Sequence, residues 1–133
     1  MKLEFLSDIS DGGRFTNVVA NQLVRLYDFD SAEASLLRQA IQRTIVDDRE
    51  TLELSKLEFI TSQNCKVTLQ LADTDIGLTT ENNVNFICYL THTLYIRMAE
   101  LIEPFCNNRT SGYQWLYDTE SNLEFLFSPG GTW

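Results

Sequence analysis

The spacing of hydrophobic positions changes several times along the chain between a period of two and a helical period. Each change of period marks the start of a new predicted element. An alternating apolar run at residues 2–6 predicts a first strand. The branched and aromatic residues at 22–29 predict a second, although residues 18–27 also fit a helix. Between them, the turn-rich residues 7–13 predict a loop.

Two segments have helical period. Asp30 and Glu33 have the spacing of a capping box, and the apolar residues after them predict a helix over residues 31–46 that covers one side of a sheet. Thr91 or Thr93 is placed to cap a second helix, in which Pro104 limits the last turn. Its predicted core face consists of Leu94, Tyr95, Met98, Leu101, Ile102 and Phe105.

Between the helices the period returns to two, which predicts strands of an antiparallel meander. The phase of the alternation slips at Ser55-Lys56, which suggests a bulge or bend, and Ser62-Gln63-Asn64 suggests a tight turn. The alternating apolar positions are Leu52, Leu54, Leu57, Phe59, Val67, Leu69 and Leu71, followed after a longer connection by Val84, Phe86, Cys88 and Leu90.

The last segment is rich in aromatic residues and predicts a β-hairpin. Tyr113, Trp115 and Tyr117 are expected on one face, with the apolar residues of 123–127 opposite them. Trp133 follows Pro129-Gly130-Gly131, which reads as a flexible tether, so we expect Trp133 to be the most accessible aromatic. The hairpin aromatics are expected to pack largely inward against a helix, and a partly exposed aromatic platform for a partner is the alternative. On that alternative, Tyr113, Trp115, Tyr117 and Trp133 are the candidate binding residues.

Together these elements predict a single α+β domain over residues 1–133. An antiparallel sheet, formed by the meander and the C-terminal hairpin, packs against two helices. The order of elements lacks the regular alternation of strand and helix that a parallel sheet requires.

The composition limits the classes of partner that we expect the chain to bind. Ten basic and nineteen acidic side chains give a formal charge of -9, which repels nucleic acid and anionic membrane surfaces. No apolar run has the roughly 20 residues that span a bilayer. We therefore expect no nucleic-acid or membrane partner. The acidity favours solubility, and an acidic face for a basic protein partner is the alternative.

The cysteines and the first residues indicate the compartment. Cys65, Cys88 and Cys106 are an odd number without close spacing, and the chain does not begin like a signal peptide. We expect buried thiols in the cytoplasm.

No recognisable catalytic or metal-binding motif is present, and no cofactor is expected. His92 is the only histidine, so a zinc site or a catalytic triad lacks its usual residues. Arg14 beside Gly13 is a weak candidate for an anion. Three acidic clusters could hold a cation but match no calcium loop, namely Asp28 with Asp30, Asp47-Asp48 with Glu50, and Asp73 with Asp75.

Three functions remain open at this stage. The first is a non-catalytic protein-binding or regulatory module, which requires no missing residue. The second is a small enzyme or ligand-binding domain whose site combines carboxylates, tyrosines and His92 across the sheet. The third is a homo-oligomeric assembly protein that pairs through an edge strand or the hairpin.

Overall fold

The computed structural model describes residues 1–7, 22–107, 109–119, 121 and 123–133. The predicted loop beyond Ser7, the anion candidate Arg14 and residues 18–21 of the helical alternative lie outside this described part. Within it the helices are α1 (Ser31–Ala40) and α2 (His92–Cys106). The strands are β1 (Lys2–Leu6), β2 (Gln22–Tyr27), β3 (Leu52–Glu53), β4 (Thr61–Ser62), β5 (Lys66–Leu71), β6 (Gly77–Thr80), β7 (Asn85–Leu90), β8 (Gln114–Trp115) and β9 (Leu123–Phe127).

One sheet has five strands in the order β4-β1-β2-β9-β8. The two predicted N-terminal strands are confirmed and pair antiparallel. β9 lies beside β2 in parallel, whereas β8 pairs antiparallel with β9, which confirms the C-terminal strand pair. One row across this sheet contains Glu4, Arg25, Leu126 and Trp115, and these residues define what we call its outer face.

The other sheet has four strands in the order β3-β5-β7-β6. β5 and β7 are parallel neighbours, and β6 returns antiparallel on the far side of β7. The expected purely antiparallel sheet is therefore wrong, because both sheets are mixed. Alternation identifies which side chains share a face of a strand, but it does not specify the direction of the neighbouring strand.

The predicted strand around residues 52–59 is mostly a turn. Only Leu52–Glu53 pairs, and the phase slip at Ser55-Lys56 corresponds to a 3₁₀ turn at Leu54–Lys56. Leu57 and Phe59 follow that turn and pack partly buried against the core. The chain therefore uses these apolar residues for packing without continuing the sheet.

The first predicted helix is confirmed, with its capping box. The Glu33 amide donates to Asp30 Oδ1 at 2.8 Å, and the Asp30 amide donates to Glu33 Oε1 at 3.3 Å. After α1 the chain continues as a π-helical segment at Ile41–Asp47. The buried residues recur at Ala34, Leu37, Ile41 and Ile45, so one helical face enters the core.

The second predicted helix is also confirmed. Thr91 is the N-cap residue, with its hydroxyl 3.4 Å from the Leu94 amide, and Pro104 lies in the last turn. The fully buried positions include Tyr95, Met98, Ile102 and Phe105, as the period predicted. Leu94 and Leu101 are only partly buried, so the edge of the predicted core face reaches the surface.

A hydrophobic cluster draws buried residues from both sheets and both helices. The Phe5 ring of the five-stranded sheet lies 4.9 Å from the Phe86 ring of the four-stranded sheet, measured between centroids. Phe127 contacts Phe29 and Phe105 at 4.3 and 5.1 Å. The outer face of the five-stranded sheet carries a second, small cluster around Leu23 and Leu126.

Candidate functional site

The structure separates the aromatic residues that were expected to share one face of the hairpin. Tyr117 belongs to the main core, whereas Trp115 packs against the small cluster on the outer face. Tyr113 is 41% exposed and meets the Trp115 ring edge to face, with centroids 5.8 Å apart. The expectation of a single aromatic face is wrong, because the regular strand β8 ends at Trp115.

Tyr117 connects the two sheets. Its hydroxyl accepts a hydrogen bond from the Leu78 amide of β6 at 3.0 Å and donates to the Leu123 carbonyl oxygen of β9. Gly77 has φ +88°, and a Cβ atom there would lie 2.8 Å from the Tyr117 ring. Burial raises the pKa of Tyr117 well above its ordinary value, so the hydroxyl stays protonated at neutral pH. Tyr117 is 4% exposed, and its hydroxyl makes hydrogen bonds with main-chain atoms of both sheets.

Trp133 does not lie on a free tether. It packs with Trp115 against Leu23 and Leu126 and is partly buried. The buried Ser128 hydroxyl donates to the Thr132 carbonyl oxygen at 2.8 Å, which folds the tail back. Among the described aromatic residues Tyr113 is more exposed than Trp133, so the expected order of accessibility is wrong.

Arg25 holds the tail to the outer face. Its Nη1 donates to the Gly131 carbonyl oxygen at 2.8 Å, while Nε and Nη2 donate to Glu4 Oε1 at 2.9 and 2.5 Å. The guanidinium carbon also lies 4.0 Å from the centroid of the Tyr27 ring. Arg25 is thus bound by a carboxylate, a carbonyl group and an aromatic ring of the same chain.

A depression of about 420 Å³ lies beside β8 and β9, and we call it the acid-lined depression. Gln114, Trp115, Tyr117, Asp118 and Glu124 line it. Desolvation by burial and, to a smaller extent, the charge of Asp118 raise the pKa of Glu124. The ion pairs between described residues leave both carboxylates without a cation. The depression therefore has two carboxyl groups that form no ion pair with a described lysine or arginine.

A second depression of about 360 Å³ adjoins the first and separates the segment after β8 from α2. It shares Gln114, Tyr117 and Asp118 with the acid-lined depression. Leu94, Leu101 and Leu116 supply its apolar wall, so we call it the leucine depression. Arg97 also lines it, and its Nη1 pairs with Glu100 Oε2 at 3.2 Å. An acid-lined depression therefore adjoins one with an apolar wall that also contains Arg97.

Several of the other residues considered for chemistry make structural contacts. His92 Nε2 lies 2.9 Å from the Val46 carbonyl oxygen, so this nitrogen donates a hydrogen bond that joins α2 to the end of the π-helical segment. Asp30 caps α1, and Asp75 accepts a hydrogen bond from the Thr91 amide at 2.8 Å. His92 is not among the residues that line either depression.

The three thiols are free in the structure. Burial raises the pKa of Cys65 to about 11 and that of Cys88 to about 12. Burial also raises the pKa of Cys106. Because the thiolate is the reactive form, none of these environments activates a nucleophile.

Two further observations concern ligands and membranes. Within the described residues, no group of three or more histidine, cysteine, aspartate or glutamate side chains is arranged to hold a metal ion. Neither described helix combines the length and apolar character needed to cross a bilayer.

Comparison with known proteins adds no assignment: no protein-family model matches the chain, and no curated protein sequence shows significant similarity to it.

Sequence reasoning identified Trp115 but missed the carboxylates beside it. Glu124 interrupts the apolar run Leu123–Phe127, and this polar residue inside a buried strand was the available signal. Asp118 and Gln114 gave no comparable signal, because polar residues near a turn are common in any soluble protein.

Proposed function

We propose that the chain is a non-catalytic protein-binding module that receives a basic segment of its partner at the acid-lined depression. The observation that carries this proposal is Glu124, a partly buried carboxylate beside Asp118 with no cation among the described residues. Trp115 and the exposed Tyr113 supply aromatic surface next to it.

The energetics support a cationic ligand. A desolvated carboxylate near a second carboxylate is unfavourable in the free protein, and an opposite charge within a few ångströms relieves both effects. Two aromatic rings at the rim add contact area with little loss of side-chain entropy. The partner would therefore gain affinity from a group that destabilises the free chain.

The charge of the whole chain supports the same kind of partner. A formal charge of -9 attracts a basic protein from a distance and accelerates encounter at low ionic strength. The same charge disfavours nucleic acid and anionic membranes, which we therefore exclude from the proposal. With its free thiols, the module is proposed to act in the cytoplasm, as one domain and without a cofactor.

The raised pKa of Glu124 is also the one observation that favours the enzyme alternative, because perturbed carboxyl groups occur at catalytic sites. His92, however, donates to a main-chain carbonyl away from these lining residues, and the described thiols are not activated. We therefore place binding ahead of catalysis.

The described sheet edges give the assembly alternative little support. The edge strands β3, β4 and β8 have two residues each. The β6 edge has its Leu78 amide bound by Tyr117, and the Asn64 side chain pairs with both main-chain polar groups of Phe5 at 2.8 Å. Short and covered edges oppose strand-to-strand pairing.

Site-specific photocrosslinking in the native cell tests the proposal. A photoreactive phenylalanine analogue replaces Tyr113, whose ring contacts Trp115 of the depression. The matched control places it at Ile76, which is similarly exposed and immediately precedes β6 of the other sheet. We expect a protein with a basic contact segment to be captured at position 113 and not at position 76. Equal capture at both positions, or none at position 113, contradicts the proposal.

A further inference from the structure

The outer face of the five-stranded sheet already shows how this protein binds a guanidinium group. Arg25 is held by the Glu4 carboxylate, the Gly131 carbonyl oxygen and the Tyr27 ring. Charge-assisted hydrogen bonds and stacking on an aromatic face are the two interactions that arginine combines.

The acid-lined depression, on β8 and β9, contains the same kinds of groups as the Arg25 site. Leu126 lies between Arg25 and Trp115 in the same row across the sheet, and Glu124 is two residues before Leu126 on β9. The depression thus contains an aromatic ring and a carboxylate, as the Arg25 site does, and Asp118 adds a second carboxylate.

Gln114 supplies a neutral oxygen in place of the main-chain carbonyl of the Arg25 site. Its Nε2 donates to the Trp115 carbonyl oxygen at 3.0 Å, which leaves Oε1 as an acceptor. The Tyr117 hydroxyl is occupied by the Leu78 and Leu123 main chain. The remaining polar groups of the depression are therefore dominated by acceptors.

We propose that the group received by the acid-lined depression is an arginine side chain of the partner; this inference rests on the proposed function. A guanidinium group presents five N–H donors in one plane and stacks on an aromatic ring, whereas a lysine ammonium group is a compact point charge with three donors. Several acceptors beside an indole ring therefore favour arginine over lysine.

The adjoining leucine depression indicates which residue lies next to the arginine in the partner. Because Gln114, Tyr117 and Asp118 border both depressions, a segment whose arginine enters the first places a neighbouring side chain over the second. The wall of Leu94, Leu101 and Leu116 fits an apolar side chain there, and Arg97, which also lines the depression, is paired with Glu100. The recognised class is thus an arginine adjacent to an aliphatic residue.

Nuclear magnetic resonance titration with blocked dipeptides tests this inference. The probes are arginyl-leucine, lysyl-leucine and citrullyl-leucine, each acetylated and amidated, so that only the cationic group changes. We expect the arginine dipeptide to bind about three- to tenfold more tightly than the lysine dipeptide, and the citrulline dipeptide to bind weakest. The Trp115 indole and Gln114 amide signals should shift most.

Two variants locate the binding. The double substitution Asp118→Asn with Glu124→Gln should abolish the preference for arginine, because it removes both carboxylates while keeping similar shapes. The single substitution Glu81→Gln, at an exposed acid elsewhere, should leave it intact. Equal affinity for arginine and lysine dipeptides, or an unchanged preference in the double variant, overturns the inference.

The two proposals fail separately. If Tyr113 captures a basic protein but arginine and lysine dipeptides bind equally, the arginine inference fails and the proposed function stands. If the dipeptides show the arginine preference but position 113 captures no protein, the proposed function fails and the ligand class stands.

Discussion

At the scale of single residues, the main finding is that neighbouring aromatic residues have different roles. Tyr117 joins the two sheets through its hydroxyl, while Tyr113 is exposed and contacts Trp115, which lines the candidate site. Residue type and spacing do not distinguish these roles, because both tyrosines lie in the same short segment.

The Tyr117 hydroxyl should contribute to stability. In the Tyr117→Phe variant the buried Leu78 amide loses its acceptor, so we expect the free energy of unfolding to fall by about 1–3 kcal/mol. Chemical denaturation measures this difference. Tyr113→Phe is the matched control and should change stability little, since Tyr113 is exposed. Equal effects of the two substitutions would show that the hydroxyl bridge is unimportant.

Glu124 should destabilise the free protein at neutral pH. Burial and Asp118 raise its pKa, so the folded chain keeps this proton at a higher pH than the unfolded chain does. Stability therefore falls as pH rises from the ordinary glutamate pKa through the raised value, and stays lower above it. We expect Glu124→Gln to melt above wild type at pH 7, with the difference vanishing below about pH 4.

Thermal melting across this pH range checks the prediction, with Glu81→Gln as the control for removing one negative charge. A Glu124→Gln variant that melts below wild type at neutral pH would show that the carboxylate is stabilising instead.

At the scale of elements, the sequence predicted what depends on local pattern. The capping box at Asp30 and the apolar period of both helices were sufficient to place α1 and α2. Strand direction was not predictable, because the parallel pairs β2–β9 and β5–β7 join segments whose alternation is the same in either orientation. The acid-lined depression likewise depends on where the chain runs after β8.

The tail is the element for which expectation and structure differ most. Pro129-Gly130-Gly131 suggested a flexible tether, yet Ser128 and Arg25 hold it against the sheet. These contacts join residues far apart in sequence or depend on local turn geometry, so composition alone did not reveal them.

Because Trp133 packs against Leu23 and Leu126, we expect Trp133→Ala to lower the free energy of unfolding by about 1–3 kcal/mol. Denaturant titration measures the loss, and Ile76→Ala, at an exposed apolar residue, is the control. A Trp133→Ala variant as stable as wild type would indicate that the tail is a flexible tether after all.

At the scale of the whole molecule, the shared core favours one cooperative unit. Buried residues from both sheets and both helices form the main cluster, and Tyr117 hydrogen-bonds to both sheets. We expect tryptophan fluorescence, which reports on the outer face, and far-ultraviolet circular dichroism to give coincident unfolding transitions. Separate midpoints would indicate two independently folding parts.

In the proposed function, the charge of the whole chain attracts a basic partner at long range, and the acid-lined depression selects it. Long-range attraction and specific binding respond differently to the loss of a carboxylate. Removing any carboxylate weakens the long-range attraction, whereas only removal of a carboxylate in the depression weakens binding at that site.

The most direct measurement is therefore the dissociation constant of the protein captured at position 113, compared between two double variants with equal charge change. The site variant combines Asp118→Asn with Glu124→Gln, and the control combines Asp73→Asn with Glu81→Gln at exposed acids elsewhere. We expect the site variant to weaken binding about tenfold or more, equivalent to about 1.4 kcal/mol, while the control stays within about twofold of wild type. Equal weakening by both variants, or no weakening by the site variant, would contradict it.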